Sequence, residues 1–175
     1  LAKNGHGRVE FRDVTFSYPD ADLPVITGVN FTAHPGQTTA FIGSTGSGKS
    51  TLINLIPRFY DVSAGQILLD GVDIRDLKLS DLYGQIGYVP QKGVLFSGTV
   101  ASNVAYGNEQ TAPAVIKQSV KIAQAKEFVD KMDDGYDSDI AQGGSNVSGG
   151  QRQRLSIARA LAVKPNVYIF DDSFS

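Results

Sequence analysis

Eight residues constrain this chain more than any others: Gly43-Ser44-Thr45-Gly46-Ser47-Gly48-Lys49-Ser50. They match the pattern G-x-x-x-x-G-K-[ST]. A β-rich run at 38–42 precedes them, and a helical pattern at 50–59 follows, with Leu52, Ile53, Leu55, Ile56 and Phe59 on one apolar face. Strand, loop and helix in that order are the setting in which such a loop wraps phosphate. The glycines let backbone N–H groups point inward, and the helix start adds the positive end of its dipole. Lys49 then supplies a point charge for β- and γ-phosphates, and Ser50 a hydroxyl for Mg²⁺. A chance glycine-rich turn is the alternative, expected at average composition in fewer than about one in a hundred chains of this size. Many enzymes use such a loop, so it implies nucleotide binding and leaves the reaction open.

Composition narrows the rest. The chain has 175 residues, enough for one domain with a real core, and a net charge of −2 that argues against binding nucleic acid by bulk charge. With no cysteine there are no disulfides, thiolate zinc sites or cysteine nucleophiles, and His6 and His34 are too few for a histidine cage. The longest uncharged stretch, 23–48, is interrupted throughout by Pro, Gly, Asn, Gln and Thr, so neither a spanning helix nor a signal peptide is expected. The only methionine is Met132 and residue 1 is Leu1, and residues 171–175 follow directly on an apolar run with no capping or tail composition, so both ends read as cuts from something longer.

Glycine, 19 residues in all, concentrates at 43–48, 65–71, 84–107 and 143–150. Alternation predicts a strand at 9–18, with a break near Asp13, and another strand is expected at 25–33. Further strands are expected at 65–70, 86–89 and 167–170. Helices are expected from Ser80 to about Gln85, through 99–131 with Thr111 as a cap and Pro113 in the first turn, and over 151–162. Strands interleaved with helices imply a parallel sheet with an antiparallel start and a helical insert.

Two further motifs carry chemistry. Ser148-Gly149-Gly150-Gln151 opens the predicted helix at 151–162 and offers a second anion site, the alternative being that Ser148 is a plain helix cap. One chain cannot easily place two such sites on one nucleotide, so this one points to a nucleotide held by another chain. The apolar strand Val167-Tyr168-Ile169-Phe170 ends in Asp171 and Asp172. After a phosphate loop, the first carboxylate suits the Mg²⁺ shell and the second is placed to polarise an attacking water.

At this point the chain resembles the nucleotide-binding domain of an ATP-binding cassette (ABC) transporter over nearly its whole length. The phosphate loop, the Val147-Ser148-Gly149-Gly150-Gln151 signature and the acidic strand come in the family's order, with Lys49 and Ser148 99 residues apart. The resemblance implies a P-loop NTPase fold of α/β class with a RecA-like parallel core, truncated at its C-terminus. It divides 1–175 into an antiparallel β part (9–42), a P-loop core (43–91), a helical subdomain (92–150), and the signature helix with the acidic strand (151–175). ATP and Mg²⁺ are the implied cofactors. A second nucleotide-binding domain and the transmembrane domain of the same transporter are the implied partners, at the cytoplasmic face of the cell membrane and without nucleic acid.

The resemblance assigns residues one at a time. Tyr18 matches the aromatic that stacks on adenine, its alternative being an ordinary strand aromatic. Gln91, in Tyr88-Val89-Pro90-Gln91, matches the glutamine that reaches Mg²⁺ and the attacking water, and otherwise is a polar turn residue. Thr51 joins residues 43–50 in nucleotide binding. Ser50, Gln91 and Asp171 are the expected Mg²⁺ group, and Lys49, Gln91 and Asp172 the catalytic one. Ser148, Gly149, Gly150 and Gln151 act on a partner's ATP. The segment 94–100 with Asn103 and Val104, together with Tyr18, looks like the exporter version of the domain.

Three departures stand out. Asp172 sits where the family usually has glutamate, one methylene longer. A shift of about 1 Å can cost about 100-fold, so a slow, degenerate site completing a partner's active site is one expectation; a homodimer in which Asp172 works is the other. Gln142 stands where exporters often carry glutamate. The family's switch histidine would lie beyond Ser175, and neither His6 nor His34 can replace it.

Overall fold

A computed structural model describes residues 6–171. Asp172 lies outside them. The described residues fall into two compact units, divided between Ile86 and Gly87.

The first unit is built on a four-stranded antiparallel sheet in the order β2-β1-β3-β4, from β1 (Val9–Phe16), β2 (Ile26–Ala33), β3 (Ala64–Leu69) and β4 (Val72–Asp73). The break expected near Asp13 is a β-bulge. Pairing shifts register between Arg12 and Thr15, and Asp13 takes a left-handed φ of 50°. Its N–H is satisfied by Asn30 Oδ1 at 2.9 Å. Val9, Phe11, Val14 and Phe16 are buried from one strand, and Phe11 stacks on Phe31 of the neighbouring strand at 4.3 Å. The antiparallel sheet thus draws on residues as far as Asp73, well past residue 42.

The same unit carries α1 (Lys49–Leu55) and α2 (Leu79–Gly84). α1 buries Thr51, Leu52, Ile53 and Leu55 but stops four residues short of the predicted end. Pro57 and the left-handed Arg58 (φ 59°) follow, and neither continues a helix. Ser80 is not the cap of α2; Lys78 is. The run at 38–42 pairs with no strand among the described residues, and Ile42 is almost fully exposed. β-propensity alone does not make a strand where no neighbour supplies the ladder.

The second unit packs α3 (Val100–Val104), α4 (Pro113–Ile122), α5 (Lys126–Val129) and α6 (Gly149–Ala162) around one cluster. Leu95, Val104, Val120, Val129, Ile140 and Leu155 are at its buried centre. The single helix pattern over 99–131 is therefore three short helices. Gly107 and Gln124, both at positive φ, lie in the two breaks. Pro113 is in the first turn of α4 as expected, but Ala112 is the N-cap, and Thr111 Oγ1 instead donates to Asn108 O at 2.6 Å. Strand β5 (Ile86–Val89) pairs with β8 (Val167–Phe170), while β6 (Gly98–Thr99) and β7 (Asp139–Ile140) form an antiparallel pair. No helix among the described residues is long and apolar enough to cross a membrane.

Candidate functional site

The loop at 43–50 has the conformation its glycines predict. Gly46 and Gly48 take left-handed φ values of 81° and 86°, which β-carbon-bearing residues adopt at a cost. Gly48 is the N-cap of α1 and has no side chain to close the first turn. A β-carbon there would also meet Ile26 Cδ1 at 3.0 Å and Val25 Cγ1 at 3.2 Å, so glycine lets α1 start hard against β2. Lys49 Nζ donates to Gly43 O at 2.7 Å and Ser44 O at 2.8 Å. The ammonium therefore folds back over the loop, where an incoming phosphate can take it from two neutral carbonyls. Gly43, Ser44, Thr45, Gly46 and Ser47 are exposed.

Tyr18 follows β1 and is half-buried. Its hydroxyl shares a 2.9 Å hydrogen bond with Thr51 Oγ1 in the first turn of α1. Its ring stands edge-on to Phe16 (4.9 Å, 80°) and to Tyr60 (5.2 Å, 88°). The fold thus joins Tyr18 and Thr51, both expected at the nucleotide, and adds Tyr60, which sequence reasoning missed because 42 positions separate it from Tyr18.

In the second unit, Gln91 is exposed and lies two residues past β5. Asp171 follows β8, and its backbone N–H donates to Val89 O at 3.0 Å. The neighbouring Tyr88 phenol is pushed up to about 12, first by burial and then by the Asp171 carboxylate, to which it is hydrogen-bonded. The strand pair therefore places Asp171 beside the strand that leads to Gln91. Tyr88 went unrecognised because nothing in the sequence marks which strands are neighbours.

The loop after Gln91 is tied closely to α6. Gly93 lies so near Arg152 that a β-carbon would come within 2.8 Å of its backbone. Gln153 Nε2 donates to Pro90 O at 3.2 Å. Arg159 is half-buried and donates to Val94 O and to Asn103 O and Oδ1 at 2.8–3.0 Å, with its guanidinium about 5 Å from the ring centres of Phe96 and Tyr106. Burial pushes its pKa down, partly offset by Tyr106. Gln142 Oε1 accepts from Ser97 Oγ at 2.7 Å, a bond across this same loop that the sequence did not reveal.

Ser148 is the N-cap of α6, in a full capping box. Its Oγ accepts from Gln151 N at 3.2 Å, and Gln151 Oε1 accepts from Ser148 N at 2.8 Å. The plain-cap role held open for Ser148 is thus present. The two glycines tell a different story. Neither has a positive φ, a β-carbon on Gly150 would meet nothing, and one on Gly149 would touch only the tip of Arg152 at 3.7 Å. The chain's own fold needs neither glycine, and each weakens the helix by about 1 kcal/mol relative to alanine.

A phosphate loop opening a helix beside an antiparallel sheet, with an acidic strand and a glutamine loop in a helical second unit, defines an ATP-binding P-loop domain. The family model described as "ABC transporter" matches residues 26–175. An ABC transporter ATP-binding protein of Mycobacterium tuberculosis is 50% identical over 172 residues, covering 97% of this chain and 29% of its own length. An ATP-dependent lipid A-core flippase of Aromatoleum aromaticum is 48% identical over 170 residues, with 97% and 28% covered. The solved structure of a bacterial Atm1-family ABC exporter with ATP bound superposes with a TM-score of 0.91 at 36% identity, covering 99% of this chain and 30% of that one. The chain belongs to the ABC transporter family and is an ATP-binding domain of it. It spans under a third of the length of these relatives. The expected likeness to exporter domains is borne out, whereas nothing found supports a degenerate site.

Proposed function

We propose that this domain binds Mg-ATP and hydrolyses it to power an exporter. The observation that carries the reading is the loop itself: left-handed Gly46 and Gly48 open α1, and the Lys49 ammonium rests on two carbonyl oxygens that a phosphate would outcompete. The residues suit Mg²⁺. Ser50, Gln91 and Asp171 are hard oxygen donors, and Mg²⁺ is commonly held by one or two side chains, nucleotide phosphates and water rather than by an all-protein cage. When bound, it neutralises charge on the transferring phosphoryl group. Lys49 and the loop N–H groups stabilise the same charge, and Tyr18 stacks on the base. Asp172 orients the water and accepts its proton as oxygen attacks the γ-phosphorus. The bond from that phosphorus to the bridging oxygen breaks, leaving ADP and phosphate.

The signature would serve a second nucleotide-binding domain. Glycine at 149 and 150, which this fold does not require, leaves the α6 start bare enough for the partner's phosphate to approach the backbone. The flippase and exporter relatives support a membrane-spanning partner domain; this domain would sit at the cytoplasmic membrane face, with Gln91 and its loop reporting nucleotide state to that partner. Titrating the full chain with ATP by calorimetry, with and without Mg²⁺, tests the binding step. Turnover of the transporter with Lys49→Ala and with Asp172→Asn tests the chemistry, and both variants should reduce it to background. Wild-type turnover in Asp172→Asn would remove Asp172 from its role.

A further inference from the structure

The base-binding end of this site contains a residue that neither the motifs nor the family pattern singled out. Tyr60 lies four residues past the C-cap of α1 and is 41% exposed. Its ring is perpendicular to that of Tyr18 at 5.2 Å and tilted by 47° to that of Phe16 at 5.5 Å. Phe16 and Tyr18 meet edge-on at 4.9 Å, so the three rings form a closed triangle in which both contacts to Tyr18 are edge contacts. Phe16 is almost fully buried and serves as the floor. The Tyr18 hydroxyl is held separately by Thr51, itself 8% exposed, in the turn that also carries Lys49 and Ser50.

We propose that Tyr60 is a positioning residue for adenine, fixing the plane of the Tyr18 ring so that its stacking face stands at a set distance from the phosphate loop. This rests on the reading that Tyr18 stacks on the base. The physics is orientational. A phenol anchored only at its hydroxyl and Cβ can still turn about the axis joining them, and that rotation swings the face away from a base whose phosphates are already fixed by the loop. Two perpendicular neighbours remove the freedom, because edge-to-face contacts pair the positive ring edge with the negative face and are lost when either ring turns. Ordering Tyr18 before the base arrives removes that cost from binding. Phe16 is one of these two neighbours, and Tyr60 is the second. Tyr60 contributes its ring and not its hydroxyl, so phenylalanine should replace it and leucine, of similar bulk without a π face, should not.

The test compares two ligands on the full chain by calorimetry: ATP, and inorganic tripolyphosphate, which has the phosphates without the base. Tyr60→Leu should weaken ATP binding about 3- to 10-fold, the range an aromatic pair supports, and leave tripolyphosphate binding unchanged. Tyr60→Phe should match wild type on both. In a Tyr18→Ala background, Tyr60→Leu should have no further effect on ATP, since there is no ring left to orient. Equal weakening of both ligands, no weakening of either, or a full additive effect in the Tyr18→Ala background would each overturn the proposal. Unchanged tripolyphosphate binding also reports that Tyr60→Leu remains folded. If Tyr18→Ala itself leaves the ratio of ATP to tripolyphosphate affinity unchanged, the stacking role fails first. If Tyr18→Ala lowers that ratio and Tyr60→Leu does not, only the role of Tyr60 fails.

Discussion

Helix α1 opens on Gly48, which has no side chain with which to close its first turn, whereas α6 opens on Ser148, whose hydroxyl and the Gln151 amide close theirs from within the chain. Both starts are glycine-rich and both read in sequence as anion sites. Their glycines differ in kind. Gly46 and Gly48 are required by the backbone, which turns left-handed there, and Gly48 also by its contact with Val25 and Ile26. Gly149 and Gly150 sit in ordinary helix with space around them. A glycine that the fold needs shapes its own site. One that the fold does not need suits an approach from outside. The difference agrees with the proposed division of labour between binding this domain's ATP and touching a partner's.

The comparison can be broken in several ways. The largest effect is expected at the charge. Lys49→Ala should lower ATP affinity at least about 100-fold, since hydrogen bonds to charged groups contribute about 1.5–3 kcal/mol each and an ammonium can make two to the phosphates. Gln151→Ala should leave that affinity unchanged. Equal losses in a direct titration would mean that both helix starts serve one nucleotide.

The next contrast lies in stability. Gly48→Ala puts a β-carbon at a φ of 86° and against Ile26, and should cost about 1–3 kcal/mol in urea unfolding. Gly150→Ala should instead stabilise by about 0.5–1 kcal/mol. If both shift the midpoint in the same direction, the distinction between required and unrequired glycines is wrong.

Ser148 can be split between its two roles. Ser148→Ala should cost about 1 kcal/mol through the lost cap, while Ser148→Asp keeps a good cap and so keeps stability. In the assembled transporter, Ser148→Asp should nevertheless abolish turnover, because a carboxylate would face the partner's phosphate. Full turnover in that variant would reduce Ser148 to a cap.

The smallest expected effects are in pH dependence, and they separate the two units. In the first, the Arg58 and Arg75 guanidiniums hold Asp61 and Asp73 below the usual carboxylate range. The stability this contributes is present above about pH 4 and is lost as pH falls through the lowered values. In the second, the Tyr88 phenol stays protonated up to about pH 12 while an unfolded tyrosine ionises near 10. Stability should therefore fall from about pH 10 upward, and Tyr88→Phe should flatten that limb. Hydrogen exchange resolved by unit would measure both limbs, and an alkaline limb that persists in Tyr88→Phe would point to another group, such as Tyr168, which burial also raises.

Much of the site was legible in the sequence because its chemistry is local. The loop at 43–50 carries its turns in its own glycines, and the Ser148 cap is closed by a residue three positions on. The strand at 9–16 showed in its alternation, and the bulge near Asp13 in its interruption. Local pattern failed where the context was not local. The run at 38–42 has strand composition but no paired neighbour, and the helical pattern over 99–131 ran through two breaks at Gly107 and Gln124 that periodicity passes over.

What the sequence by itself determined is the phosphate loop, the capped signature helix and the acidic strand, and through their order the ABC family, since each is specified by residues within a few positions of one another. What only the tertiary structure decided is which distant side chains serve them: Tyr60 beside Tyr18, Tyr88 beside Asp171, Gly93 beneath Arg152, and Arg159 bound to Val94 and Asn103. Such pairs carry no periodic signal, because they come from how strands and helices settle around a core, and the burial that drives that packing has no memory of separation along the chain.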